Sequence, residues 1–249
     1  MIAREKAGII KPGVPTVTGI LRPEAARVVR SVCNKRESAL NTLRLSEFSI
    51  RGNEASLDFD DGQAKHRSIR PSLLGEHQLH NCALVLKTLG VLKGRGEGVP
   101  ARAVKEGLRS TKWPGRFHII KGTRARPETV LDVCHNESGI KAFAGTFKQV
   151  YPKRKAHIIV GFVKRKPHQL MVDELSPLAQ SFCVVRLRSG RTMDSRTLLE
   201  ALDWHGIPVS RAGSLKVGLR RVLKASEQTD IMAIVGSHYL VGEYLSYLK

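Results

Sequence analysis

The segment Trp113-Pro114-Gly115-Arg116-Phe117 and the run Val130-Leu131-Asp132-Val133-Cys134-His135-Asn136 decide how the rest of the chain is interpreted. The first reads as a proline turn that presents an arginine, whose planar and permanently charged guanidinium suits phosphate. The second reads as a buried strand that delivers a carboxylate, an imidazole and an amide. In open α/β folds, ligands bind at the carboxyl ends of strands. The alternative is a turn into a core strand, with Asp132 and Asn136 only capping the next helix.

The composition is that of a folded protein. Of the 249 residues, 41% are hydrophobic and 5% are aromatic, which fits one large or two modest globular domains. No apolar run approaches the roughly 18 residues that span a bilayer, and the N-terminus lacks a signal-peptide pattern. We therefore expect a soluble protein of the cytoplasm or an organelle matrix, with no membrane partner.

The charge is strongly positive over the whole chain. Lysine and arginine number 42 against 22 acidic residues, which gives a formal charge of +20. The two halves on either side of Ile120 each carry +10, with 21 basic and 11 acidic residues, so no basic tail explains the excess. Such a surface attracts nucleic acid, nucleotides or acidic substrates, and the alternative is a solvated basic surface without a partner.

The four cysteines, at positions 33, 82, 134 and 183, are far apart and form no CxxC pair. Each lies in an apolar context. We therefore predict reduced, buried thiols in place of a metal finger or a disulfide framework.

The first 110 residues predict mixed short elements. Helices are expected at Ile2–Ile9, Pro23–Lys35, about Asn81–Lys93 and Ala101–Leu108, with Asn81 as the cap that begins the third. Strands are expected at Pro15–Thr18 and within Leu43–Phe59, around the turns Arg51-Gly52-Asn53 and Asp60-Asp61-Gly62. The stretch Gly94–Gly98 follows a helix and lacks the Gly-Lys-Ser/Thr of a nucleotide loop, so it is interpreted as a connector.

After Arg116 the pattern alternates between strand and helix, as expected of a doubly wound sheet. The domain boundary is placed near residues 117–128. The expected strands are Thr129–Val133, His157–Gly161, Ser181–Arg186, Val209–Arg211 and Ile231–Gly236. The expected helices are Ser138–Tyr151, His168–Leu178, Ser195–His205, Ser214–Ser226 and Val241–Leu248.

Five motifs occur in a recognisable order. They are Ile2-Ala3-Arg4-Glu5-Lys6-Ala7-Gly8-Ile9, Gly75-x-His77-Gln78-x-x-Asn81, Pro114-Gly115-Arg116, Asp132-x-x-His135-Asn136, and Gly236-Ser237 followed by Val241-Gly242-Glu243. Together they resemble the folylpolyglutamate synthase and dihydrofolate synthase branch of the Mur-type ATP-dependent ligases. The resemblance implies an α/β chain with two parts. Residues 1–120 would be the rear part of a central ATPase domain, and residues 121–249 a Rossmann-like C-terminal ligase domain.

The same resemblance implies an activity and a set of site residues. ATP, with Mg²⁺, would phosphorylate the carboxylate of folate or dihydropteroate, and L-glutamate would attack the acyl phosphate to form an amide. Lys6 would be a carbamylated lysine that helps to hold the magnesium ion, and His135 would lie beside the nucleotide; these two are the expected catalytic residues. The expected nucleotide-binding residues are Asn81 at the adenine, Arg116 at the phosphates, Asp132 near the ribose, and Lys166.

The chain also departs from the family. The phosphate-binding loop, the magnesium ligands and the folate-binding loop that precede the Glu-Lys-Ala-Gly segment in the family are not in this sequence. Arg165 and Pro167 replace the carboxylates that flank Lys166 in the family. We therefore expect that the chain alone does not catalyse the ligation. The sequence leaves open whether a missing N-terminal half is encoded just upstream of Met1 or by a separate gene.

Two hypotheses follow. The chain is either the C-terminal portion of a folate-type ligase, or a ligase-derived domain that has lost catalysis and become a basic structural or RNA-binding component of a ribonucleoprotein. The few aromatic residues and the lack of an RNA motif count against the second, so the first is favoured.

Overall fold

Local sequence signals set most of the helix and strand boundaries in this chain. The structure, a computed structural model, describes residues 2–51, 55–164, 168–190 and 192–248. The chain divides into two units, Met1–Ser72 with Glu76–Thr111, and Leu73–Gly75 with Lys112–Lys249. The division of the domains at residues 120 and 121 stays a prediction. The two units divide after Thr111, and His118–Ile120 forms a strand that pairs within the second unit.

The first unit combines helices with two small sheets. Its helices are α1 (Ile2–Ala7), α2 (Pro23–Lys35), α3 (Glu76–Lys93) and α4 (Ala101–Ser110). Its strands are β1 (Thr16–Thr18), β2 (Leu40–Thr42), β3 (Phe48–Arg51), β4 (Ser56–Asp60) and β5 (Lys65–Ile69). Strands β1 and β2 pair in parallel, whereas β3, β4 and β5 form an antiparallel meander. Leu57 and Phe59 on β4 and Leu86 on α3 are fully buried in the main core of this unit.

The turn predictions of this unit have different outcomes. The Asp60-Asp61-Gly62 turn is confirmed between β4 and β5: Gly62 has φ +82°, and Oδ1 of Asp61 accepts hydrogen bonds from the backbone N–H groups of Gln63 and Ala64. The predicted Arg51-Gly52-Asn53 turn lies partly outside the described residues.

The predicted start of α3 at Asn81 is wrong. The helix begins at Glu76, directly after Gly75, whose φ of +105° makes the turn into it. Asn81 therefore lies inside the helix, where its side-chain amide donates to Oε1 of Gln78 at 3.0 Å instead of capping an end. Asparagine is a common helix cap, but here the glycine turn determines where the helix begins.

The second unit is a doubly wound α/β sheet, as predicted. Its strands are β6 (His118–Ile120), β7 (Glu128–Asp132), β8 (Ala156–Val160), β9 (Ala179–Val185), β10 (Val209–Ala212) and β11 (Ile231–Val235). They lie in the order β10-β9-β8-β11-β7-β6, in which β6 is antiparallel to β7 and the other neighbours are parallel. Its helices are α5 (Glu137–Val150), α6 (His168–Leu175), α7 (Ser195–Asp203), α8 (Leu215–Ala225) and α9 (His238–Ser246).

Alternate residues of the strands pack in two cores on opposite faces of the sheet. On β11, Ile231, Ala233 and Val235 pack in the core that includes residues of α5, α6 and α7. Met232 and Ile234 pack in the core that includes residues of α8 and α9. Because both faces are covered, the strands are almost continuously apolar, as is usual for parallel sheets. Because β11 pairs in parallel with both β7 and β8, the carboxyl ends of these three strands meet at one edge of the sheet.

Candidate functional site

The proline–glycine–arginine turn is fixed against the end of β7. The backbone N–H of Val133 donates to the carbonyl of Gly115 at 2.9 Å, and the N–H of Phe117 donates to Oδ2 of Asp132 at 2.8 Å. Gly115 has φ +82°, and a Cβ added there would lie 3.0 Å from Val133 and 3.1 Å from Val241. Only glycine combines this backbone conformation with so close an approach. The turn therefore holds the backbone of Arg116 at the carboxyl edge of the sheet while its side chain is exposed.

Asp132 at the end of β7 is buried and holds this turn in place. Its second oxygen, Oδ1, accepts the backbone N–H of Cys134 at 2.8 Å. Burial raises the pKa of this carboxyl group, although the N–H groups of Phe117 and Cys134 and the charge of Arg116 oppose that rise. Each oxygen thus accepts a buried backbone N–H, so the carboxylate joins the turn to the strand end. The expected role of Asp132 near the ribose stays a prediction.

Two imidazole rings lie beside this turn. The ring centroids of His135 and His238 are 5.4 Å apart, and Nδ1 of His135 lies 3.0 Å from the carbonyl oxygen of Val133. The pKa of His238 is lowered, first by burial and then by the charges of His135 and Arg116. Arg116, His135 and His238 therefore lie together, with Arg116 as the permanent charge and the two rings as imidazole nitrogens, and we call this group the cationic cluster.

His238 was not predicted from the sequence. The available signal for His238 was its position directly after the Gly236-Ser237 motif. The sequence, however, predicted the start of the following helix at Val241. The helix instead begins at His238. This puts the imidazole in the first helical turn, at the same edge of the sheet as Asp132.

Two helix N-termini lie at this edge of the sheet. Oδ1 of Asn136 accepts the N–H of Gly139 at 2.8 Å and caps α5, and the hydroxyl of Ser237 accepts the N–H of Tyr239 at 3.1 Å and caps α9. The capping alternative is thus confirmed for Asn136. Asp132 does not cap, because its oxygens bind Phe117 and Cys134. Helix N-termini favour anions, and the cationic cluster adds to that preference.

Of the other predicted site residues, two belong to the first unit and one lies outside the described residues. Lys6 is exposed on α1, and Asn81 is bonded to Gln78 within α3; both belong to the first unit. Lys166 lies outside the described residues. The second unit therefore brings together Arg116, Asp132 and His135, with His238 added.

In residues 2–51, 55–164, 168–190 and 192–248, no three His, Cys, Asp or Glu side chains cluster in a way that could hold a metal ion. Across the same ranges, no helix is long and apolar enough to cross a membrane. All four cysteines are free and buried, as predicted.

Comparison with known proteins identifies the protein family to which this chain belongs. Residues 115–238 match the family described as "Mur ligase, glutamate ligase domain". This range contains the six-stranded sheet and the cationic cluster. The chain belongs to the Mur-type ligases, in the branch of the folylpolyglutamate and dihydrofolate synthases.

Individual relatives support this assignment. The dihydrofolate synthase/folylpolyglutamate synthase of Bacillus subtilis is 29% identical over 255 residues, which cover 100% of this chain and 58% of that protein. The folylpolyglutamate synthase of Lacticaseibacillus casei is 30% identical and is matched over 96% of this chain and 55% of its own length. This chain thus spans little more than half the length of these relatives.

Solved structures agree. The folylpolyglutamate synthase of Thermotoga maritima superimposes with a TM-score of 0.75 at 26% identity, over 100% of this chain and 58% of that chain. The Mycobacterium tuberculosis folylpolyglutamate synthase complexed with ADP gives a TM-score of 0.82 at 25% identity, over 99% of this chain and 58% of that chain.

Proposed function

We propose that this chain is part of an ATP-dependent ligase that joins L-glutamate to the carboxylate of folate or dihydropteroate through an acyl phosphate. The support is the family assignment together with relatives named for this activity. Because those relatives are nearly twice as long, the activity of a whole ligase is proposed for a larger assembly of which this chain supplies one part.

The cationic cluster is the observation that carries the proposal. Arg116, His135 and His238 lie at the carboxyl edge of a parallel sheet, beside the capped starts of α5 and α9. These groups offer guanidinium, imidazole and backbone donors, which suit the phosphates of ATP. When bound, ATP would supply the phosphoryl group that activates the acceptor carboxylate. The residues of this chain would bind and orient its phosphates and offset their charge.

Asp132 has a positioning role in this proposal. Its carboxylate holds the turn that carries Arg116 through the N–H of Phe117. The guanidinium is thereby presented from a fixed backbone, which reduces the entropy lost when it binds phosphate.

Magnesium has weaker support than ATP. The described residues contain no cluster of three or more His, Cys, Asp or Glu side chains, so no step is assigned to a metal here. The carbamylated Lys6, the adenine contact of Asn81 and the role of Lys166 remain predictions.

Nucleotide binding tests the proposal. A fluorescent ADP analogue, followed by anisotropy, should bind weakly to the purified chain. Arg116→Ala should weaken that binding at least tenfold, because a hydrogen bond to a charged group contributes about 1.5–3 kcal/mol. The matched control is Arg124→Ala, which removes an exposed arginine from the same unit. Equal affinities for Arg116→Ala and the control would remove the phosphate role of Arg116.

The alternative, a catalytically inactive ribonucleoprotein component, rests on the net charge of +20. These relatives are named as dihydrofolate and folylpolyglutamate synthases, and neither name gives a reason for an RNA partner. RNA binding therefore remains a prediction that a direct measurement must decide.

A further inference from the structure

Helix α8 carries a row of cations on its solvent side. Lys216, Arg220 and Lys224 are exposed and follow one another at intervals of four residues. That spacing places the three side chains along one side of the helix, about 6 Å apart along its axis. We call these three side chains the α8 row.

No acidic side chain balances the α8 row. The helix, Leu215–Ala225, contains neither Asp nor Glu. In the part of the chain that the structure describes, none of the three cations forms an ion pair. The neighbouring Arg221 is also exposed and donates to the carbonyl oxygen of Arg211 at 2.6 Å. That bond involves no carboxylate, so the charge of Arg221 adds to the charge of the row.

The stability of the helix does not explain this arrangement. Like charges four residues apart destabilise a helix, and the α8 row contains two such pairs. Lys216 lies in the first turn, where a cation opposes the helix dipole, and only Lys224 in the last turn is favoured by it. A bound polyanion would offset these repulsions.

The inner side of α8 holds the row in a fixed position. Leu215 and Val222 are buried in the core that α8 shares with α9. A Cβ added at Gly218 would lie 2.7 Å from Cγ1 of Val185 on β9, so the helix packs closely on the sheet. Because the backbone is fixed in this way, a ligand needs to order only the cationic side chains, which lowers the entropy lost on binding.

The chemistry of this side of α8 favours a nucleic acid over a lipid surface. A helix that lies on a membrane inserts its apolar side into the lipid, but the apolar side of α8 is buried in the core. Val217 and Leu223 reach solvent with exposures of 44% and 36%, and they lie among the cations. Lysines and arginines on a rigid helix instead suit the repeated phosphates of a nucleic-acid strand. The helix has no aromatic residue to stack on bases, so the contact would be with the backbone.

We propose that the α8 row binds the phosphodiester backbone of a single-stranded nucleic acid, without sequence preference. Each cation would neutralise one phosphate and release its counterions. The row shares no residue with the cationic cluster, so the proposal does not depend on nucleotide binding there.

Fluorescence anisotropy with a labelled oligothymidylate, over about 0.05–0.2 M salt, tests the inference. The full chain should bind at the lower salt. The variant K216Q/R220Q/K224Q should bind roughly tenfold more weakly or worse. The logarithm of the binding constant falls against the logarithm of salt by about 0.7 per phosphate contact on a single strand, so this slope should become shallower by about 2.

The matched control is K148Q/K153Q/R196Q. It also removes two lysines and one arginine, from exposed positions on α5, directly after α5, and on α7. These helices cover the opposite face of the sheet. The control should change the salt slope by less than the value of one contact, about 0.7.

Three results would overturn the inference. One is that the full chain does not bind oligothymidylate at about 0.05 M salt. Another is that the control loses as much affinity and slope as K216Q/R220Q/K224Q, which would show attraction to bulk charge only. The third is that K216Q/R220Q/K224Q loses binding to phosphatidylserine vesicles but keeps its binding to oligothymidylate, which would make the row a lipid contact.

A second variant covers a failure to fold. If K216Q/R220Q/K224Q does not fold, K216Q/K224Q must show a slope that is shallower by about 1.4. The folded α8 variant should bind the fluorescent ADP analogue as the wild type does. A failure of this inference can therefore be distinguished from a failure of the nucleotide proposal.

Discussion

Asp132 shows how one side chain can link a strand end to the turn that carries Arg116. It is only 6% exposed, yet both of its oxygens accept backbone N–H groups, from Phe117 and Cys134. Burial disfavours the charged form, and the hydrogen bonds favour it; the pKa of the carboxyl group is raised, so burial dominates.

The raised pKa of Asp132 predicts a specific pH dependence of stability. Between the ordinary carboxyl pKa and the raised value, the folded state holds more protons than the unfolded state. The contribution of Asp132 to the free energy of unfolding is therefore highest below that window, falls as the pH rises through it, and is constant above it. Urea unfolding of the wild type and of Asp132→Asn should show this fall in their difference. A difference that rises with pH in this window would contradict the stated balance of burial and hydrogen bonding.

At this scale the sequence predicted Arg116, Asp132 and His135 because short motifs carry them. The motif also suggested that Asp132 and Asn136 could share a capping role, but only the structure shows that Asn136 caps and Asp132 does not. His238 was missed because its proximity to His135 arises from the pairing of β11 with β7, about 100 residues away in the chain. No local pattern contains that information.

Among the elements, α5 links the core to the candidate site. Its buried residues include Ile140, Phe143 and Phe147, and its first turn is capped by Asn136 at the edge where the cationic cluster lies. Packing and capping therefore act on the same helix.

Asn136→Ala should lower the free energy of unfolding by about 0.5–2 kcal/mol, because the N–H of Gly139 loses its acceptor. Asn136→Asp is the matched control: it keeps an oxygen acceptor at the helix start and should lose much less. Chemical denaturation of the three proteins measures the difference. Equal losses in both variants would mean that the cap does not stabilise α5.

Helix and strand predictions succeeded where local signals were strong. The bounds of α2, Pro23–Lys35, were predicted correctly from the helical spacing of its apolar residues. Strand β6 was missed because three residues carry little pattern and its pairing with β7 is antiparallel within a mostly parallel sheet. The predicted helix His168–Leu178 ends earlier, at Leu175, because Ser176–Leu178 forms a 3₁₀ turn that contains Pro177.

For the whole molecule, the charge of +20 is the property that composition alone revealed. It predicts attraction to polyanions without identifying one. The two units divide after Thr111, and His118–Ile120 joins the sheet of the second unit. Composition carries no signal of that pairing.

The ribonucleoprotein alternative predicts retention on immobilised RNA at low ionic strength and a steep loss of affinity at moderate salt. The measurement is binding to a single-stranded RNA at about 0.05 and 0.2 M salt, with an acidic protein of similar size as the control. If the chain is not retained even at the lower salt, the alternative is excluded. Retention would require the RNA partner to be identified before any role is assigned.

The four buried thiols give each unit its own chemical reporter of opening. Cys33 and Cys82 belong to the first unit, Cys134 and Cys183 to the second, and all four are at most 3% exposed. Burial raises the pKa of Cys82 to about 12 and also raises that of Cys134 and Cys183, so these thiols hardly react while folded. Alkylation followed by mass spectrometry would therefore time the exposure of each unit separately, without any engineered label.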